Sequence, residues 1–123
     1  LSENKIITND IVNIFSDSSF EWLGRFDNVV NSGGVKLFPE QIEFKLSKLI
    51  KQRFFIAGMP DEKLGQKLVL VIESRVRLID DKLDYEKCKL EKYEKPKKVY
   101  FLNNFIETTT GKIKRNETLK LLQ

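Results

Sequence analysis

Three short segments carry residue types that could do chemistry. Thr110-Gly111-Lys112-Ile113-Lys114-Arg115 sets a lysine directly after a glycine, the pairing with which a phosphate-cradling loop holds its anion. The full phosphate-loop pattern fails, because positions 106 and 113 are both isoleucine. Taken alone, the segment reads as the start of a basic helix. Gly24-Arg25-Phe26-Asp27, followed by Gly33-Gly34 and then Pro39-Glu40-Gln41-Ile42-Glu43, reads alone as a hairpin leading into a helix. Gly58-Met59-Pro60-Asp61 with Gly65 reads as a loop between strands. The chain has no histidine and one cysteine, Cys88. A Ser-His-Asp triad, a Cys/His zinc site and an intrachain disulfide are therefore excluded within it, and no metal ligand set is expected.

The elements that position these residues must fit one domain of 123 residues. At that size folding buries roughly two-thirds of the unfolded surface. A hydrophobic content of 41%, with nine Phe and one Trp, supplies a core, and the charged third of the chain is mixed in sign. No apolar run approaches the ~20 residues of a membrane span. A lone cysteine among lysines fits a reducing compartment, so a cytoplasmic location is expected. The opening LSENKIITND reads like the middle of a longer polypeptide.

Ile6–Phe15 reads as an extended stretch interrupted by a turn at Thr8-Asn9-Asp10, and Phe20–Phe26 as an aromatic strand. Asn31-Ser32-Gly33-Gly34 is the strongest turn signal, and it predicts a hairpin that returns along Val35–Phe38. Pro39 opens a helix whose Ile42, Leu46, Leu49 and Ile50 share one face, with Glu40 and Glu43 complementing its positive end. Phe54–Met59 reads as a strand that stops at Pro60-Asp61. Leu68–Glu73 reads as a central strand buried on both faces. Residues 82–98 hold seven lysines and four acids and predict a helix with a thin apolar stripe at Leu83, Lys87 and Leu90, ended by Pro96. A third strand at Lys98–Leu102, a threonine loop at 108–111 and a last basic helix with Leu119 and Leu122 inward complete the chain. The fold class is α+β: an N-terminal β-hairpin plus a three-stranded sheet with about three helices.

In this order and spacing, the segments resemble the C-terminal domain of the adenylate-forming (AMP-binding) superfamily of acyl-CoA synthetases, peptide-synthetase adenylation domains and luciferases. The resemblance runs from Thr8 to Arg115. It implies that 1–26 close a large N-terminal domain and include the first hairpin strand, that Asp27 is a hinge, and that 28–123 form a mobile lid. It implies that Asp10 holds the ribose of AMP, although Asn9 replaces the glycine of a Thr-Gly-Asp motif, and that Arg25 reaches the nucleotide. Ser32, Gly33, Gly34, Val35 and Lys36 match a glycine-rich loop lining the CoA pantetheine channel. Lys112 matches the lysine that completes the adenylation site, where an ammonium can contact both carboxylate and α-phosphate. Lys114 and Arg115 are expected to be surface charge of the helix. Co-substrates implied are ATP with Mg, bound mainly by the missing N-terminal domain, and CoA.

The chain departs from the pattern at four further positions. Ile106 and Thr109 stand where prolines are usual before the lysine, so the Lys112 loop is expected to be more mobile. Asn28 and Asn31 replace a common Asp and Lys after the hinge. Within the superfamily, Trp22–Leu37 most resembles the o-succinylbenzoate–CoA ligases of menaquinone biosynthesis, with weaker support from Ala57–Gly65.

Two other readings stand beside an acid–CoA ligase lid. One is a fragment of a peptide-synthetase-like adenylation domain, in which a carrier arm replaces CoA. The other is a basic binding module without catalysis, since the net charge is +4 and the pI about 9.1. Nucleic acid is not the expected partner, because acids interleave the lysines of 82–98 and no aromatic RNA-binding motif is present. Alone, the 123 residues are expected to have no turnover.

Overall fold

The computed structural model describes residues 2–75 and 85–122. Two sheets make up an α+β fold. The first is a three-stranded antiparallel sheet in the order β1 (Ser2–Ile7), β2 (Asp10–Phe15), β3 (Phe20–Arg25). Thr8-Asn9-Asp10 is thus more than an interruption. Ile7 pairs with Asp10, and Thr8 takes a positive φ of 56° in the tight connection between β1 and β2.

The second sheet has five strands, β4 (Val30–Ser32), β5 (Val35–Leu37), β6 (Phe54–Asp61), β7 (Gly65–Glu73) and β8 (Lys98–Leu102), so the expected hairpin and the three expected strands are all present and joined in one sheet. The Gly33-Gly34 turn does close a hairpin, but β5 pairs with β4 and not with the aromatic strand 20–25. A two-residue turn with φ of 58° and 84° allows only the immediately preceding residues as partner. β7 is the central strand, as its unbroken apolar run predicts. It pairs antiparallel with β6 and parallel with β8, and meets β4 at Gly65. β6 runs on through Pro60 to Asp61, which proline permits because β6 is an edge strand.

Alternation along β7 divides the core. Leu68, Leu70 and Ile72 face one layer with Ile42, Leu46 and Ile50. Val69 and Val71 face the other, with Phe55, Phe105 and the half-buried Leu119 and Leu122. Helix α1 (Pro39–Leu46) covers the first face and α2 (Arg115–Leu119) the second. Ile42 and Leu46 are fully buried, each contributing roughly 1.5–3 kcal/mol.

The lysine-rich stretch is a second correction. Of its expected apolar positions, Leu83 lies outside the described residues. From Tyr85 onward the chain makes only single 3-10 turns at Tyr85–Cys88 and Lys92–Glu94. Lys89 takes a φ of 56° between them, which breaks any continuous helix. Cys88 and Leu90 still reach the core, so two apolar anchors suffice to seat the segment without a helical face.

Candidate active site

Helix α1 meets β3 across residues 26–28, and the site forms at that junction. A cleft of about 620 Å³ is lined by Trp22, Arg25, Asp27, Asn28 and Glu40 on one side, and by Lys112, Ile113, Arg115 and Asn116 on the other. The structure therefore brings Arg25, Asp27 and Lys112 together. Asp10 sits beside them, outside the lining. Its carboxylate lies 3.5 Å from the Arg25 guanidinium and accepts a hydrogen bond from the Trp22 indole at 3.3 Å.

Lys112 is exposed, and among the described residues its ammonium has no hydrogen-bond or ion-pair partner. Its backbone is held tightly. The Thr108 amide donates to the Lys112 carbonyl at 2.8 Å, the Lys112 amide donates to the Thr108 hydroxyl at 3.1 Å, and Lys114 donates to Ile106 at 2.8 Å. Arg53 donates to the Gly111 carbonyl at 2.6 Å and pairs with Glu107 at 2.5 Å. The fully buried Thr118 accepts from the Ile106 amide and donates to the Lys114 carbonyl. Threonine hydroxyls and Arg53 thus fasten the loop where prolines are missing. A free ammonium on a fixed backbone can neutralise an anion entering the cleft.

Arg115 corrects the expectation of surface charge. Its guanidinium grips the Glu43 carboxylate with both nitrogens, at 2.5 and 2.9 Å, and donates to the Ile56 carbonyl at 2.8 Å. It also stacks 5.6 Å from the Phe55 ring centroid. Glu43 accepts from the Ile56 amide as well, so it is committed to Arg115 and β6 and does more than complement the helix dipole. The pair joins α1, β6 and α2, and both side chains are about four-fifths buried. No sequence pattern signals this contact, because the partners lie 72 residues apart.

Asn9 reads in the sequence only as a departure, and the structure gives it work beside Asp27. Its side-chain amide donates to the Asp27 carboxylate at 2.6 Å, and its side-chain oxygen accepts from the Asp27 amide at 3.2 Å. The Phe26 amide donates to the Asn9 carbonyl at 2.8 Å. Asn28 donates to Glu40 at 2.7 Å; an aspartate there would offer that carboxylate no donor while ionised. Gly24 also has a reason. A Cβ on it would lie 2.5 Å from a Glu40 carboxylate oxygen.

The glycine turn stands apart. Ser32 and Gly33 open onto a separate groove of about 210 Å³ with Leu64, Lys92, Tyr93, Lys95 and Lys97. Gly33 donates to the Leu64 carbonyl at 2.9 Å, and open space surrounds Gly34. Val35 is half-buried against the core, and Lys36 is exposed. The two clefts share no lining residue.

No family model matches the chain. It is 31% identical over 113 residues to the 2-succinylbenzoate–CoA ligase of Lactococcus lactis, which covers 89% of this chain and 24% of the relative. It is 28% identical over 114 residues to the 3-oxocholest-4-en-26-oate–CoA ligase of Rhodococcus rhodochrous, covering 86% of this chain and 20% of the relative. The chain thus spans under a quarter of the length of these curated relatives. A crystal structure of an AMP-forming acyl-CoA synthetase/AMP-acid ligase II-like protein from Dyadobacter fermentans superposes with a TM-score of 0.71 at 32% identity, over 99% of this chain and 42% of that one. The homologues and structural neighbours of this chain are AMP-forming acyl–CoA ligases, and its fold is that of their C-terminal domain.

Proposed function

We propose that this chain is the lid of an ATP-dependent acid–CoA ligase, hinged at Asp27 between residues 1–26, which close an N-terminal domain, and 28–123, which swing. The observation that carries the reading is the shared cleft of Arg25, Asp27 and Lys112, which supports this arrangement as the adenylating one. The Lys112 ammonium contacts the substrate carboxylate and the α-phosphate together, offsetting the repulsion of two anions and holding them in line. Arg25 orients the nucleotide and Asp10 accepts from its ribose hydroxyls. ATP, with Mg, would present the α-phosphate that the carboxylate attacks to give the acyl-adenylate, with pyrophosphate leaving, and it is held mainly by the N-terminal domain.

Rotation about Asp27 then withdraws Lys112 and brings Ser32, Gly33, Gly34, Val35 and Lys36 to the acyl-adenylate, lining the CoA arm. Gly33 and Gly34 let backbone approach a thin ligand, and the lysines of the neighbouring groove suit its phosphates. The acid is 2-succinylbenzoate, on the strength of the Trp22–Leu37 run and of the Lactococcus relative, and the enzyme works in the cytoplasm. The 123 residues alone lack turnover.

The test is Lys112→Ala in the full-length polypeptide that carries this chain. Acyl-adenylate formation falls by roughly 10²- to 10³-fold, while thioester formation from supplied acyl-adenylate and CoA is spared. Equal loss in both steps contradicts the two-orientation reading. Measuring exchange with a panel of carboxylic acids decides the substrate.

A further inference from the structure

We infer that Gln41 and Glu40, in the first turn of α1, form a latch that holds the lid in the arrangement seen here and so position Lys112 for adenylation. The inference rests on the hinge reading above, since it concerns contacts between the two sides of residue 27.

Gln41 donates its side-chain amide to the Trp22 carbonyl at 3.0 Å and to the Leu23 carbonyl at 3.3 Å. Glu40 accepts from the Arg25 backbone amide at 3.2 Å and from Asn28 at 2.7 Å through the same oxygen. Its other oxygen is buried with no partner among the described residues. Trp22, Leu23 and Arg25 precede the hinge; Glu40 and Gln41 follow it. The bonds to Trp22, Leu23 and Arg25 therefore cannot survive a rotation that carries α1 away from β3, whereas the Asn28–Glu40 bond lies within the moving part. They also need close approach, which Gly24 provides by lacking the Cβ that would strike Glu40. The latch is specific to one orientation, because each of its bonds across residue 27 uses a backbone group of a single strand, the Trp22 and Leu23 carbonyls and the Arg25 amide.

Neither Gln41 nor its acceptors need touch a substrate, so Gln41 is a positioning residue. Its loss should move the balance between orientations and leave each chemical step intact. A net hydrogen bond of this kind is worth about fivefold in an equilibrium constant.

The experiment uses the full-length polypeptide with two variants, Gln41→Leu and the isosteric Gln41→Glu, which removes the donor and repels the carbonyls. ATP–pyrophosphate exchange with 2-succinylbenzoate reads adenylation; CoA thioester formation from supplied acyl-adenylate reads the second step. Both variants should lower exchange about three- to tenfold, with thioester formation unchanged or faster. An unchanged ratio of the two rates, whether both fall together or neither moves, overturns the latch. Gln41→Glu guards against a packing defect in Gln41→Leu, since it preserves shape. Lys112→Ala in the same assays separates the two levels: if it leaves exchange intact, the lid reading fails. If it abolishes exchange while the Gln41 variants keep the wild-type ratio, only the latch fails.

Discussion

Under the proposed function, the Lys112 cleft and the Gly33-Gly34 groove solve opposite problems. In the cleft, one free ammonium stands on a backbone fastened by threonine hydroxyls, Arg53 and the Arg115–Glu43 pair. In the groove, several lysines ring a turn whose glycines keep side-chain volume away. A site that must place a single charge against a developing transition state needs rigidity around it. A channel that must pass a flexible, multiply charged arm needs space and diffuse charge instead. On that reading the basic residues of this chain are distributed by task, which a net charge of +4 conceals.

The largest effect that would sharpen this contrast is the roughly 10²- to 10³-fold loss of adenylation in Lys112→Ala. Next comes the scaffold beneath it. Arg115→Leu strands the Glu43 carboxylate in a mostly buried position, an uncompensated charge costing about 3 kcal/mol. Thermal unfolding of the 123-residue chain should shift down by roughly 10 °C. A shift of only a degree or two would reduce the pair to ornament and remove the rigid half of the comparison.

In the groove the effects are smaller. Gly34→Val keeps the cleft intact but places a β-branched residue at a φ of 84°, costing of order 1–3 kcal/mol of strain. Thioester formation should drop about tenfold with adenylation unchanged, read by the same two half-reaction assays. Equal loss in both would mean that the turn serves folding alone. Smallest of all, Lys95→Gln should raise the KM for CoA about two- to threefold at low salt, and the difference should fade as salt screens the charge. An effect that persists at high salt would point to a specific contact in place of diffuse attraction.

Much of this arrangement is legible in the amino-acid sequence. The apolar run of β7, the Pro39 start and i, i+4 spacing of α1, and the glycine turn are local signals, and each survived. What failed was pairing and distance. The aromatic strand 20–25 pairs with β2 and not with β5, because a two-residue turn closes on its own neighbours. The lysine-rich stretch has enough apolar residues for two anchors but not for a helical face. Arg115 looked like solvent-facing charge because its partner Glu43 lies on another element. Asn9 and Asn28 read as departures from a motif, and only the folded chain reveals them as donors to Asp27 and Glu40.

In the proposed function one hinge serves two chemistries, with Lys112 acting in the first only. The most direct measurement compares both half-reactions of the full-length polypeptide, wild type against Lys112→Ala, under one buffer and temperature. The account predicts that ATP–pyrophosphate exchange collapses while CoA thioester formation from supplied acyl-adenylate stays within about twofold, too small a change to reflect a lost transition-state contact. Parallel loss of both activities, or retention of exchange, would contradict it.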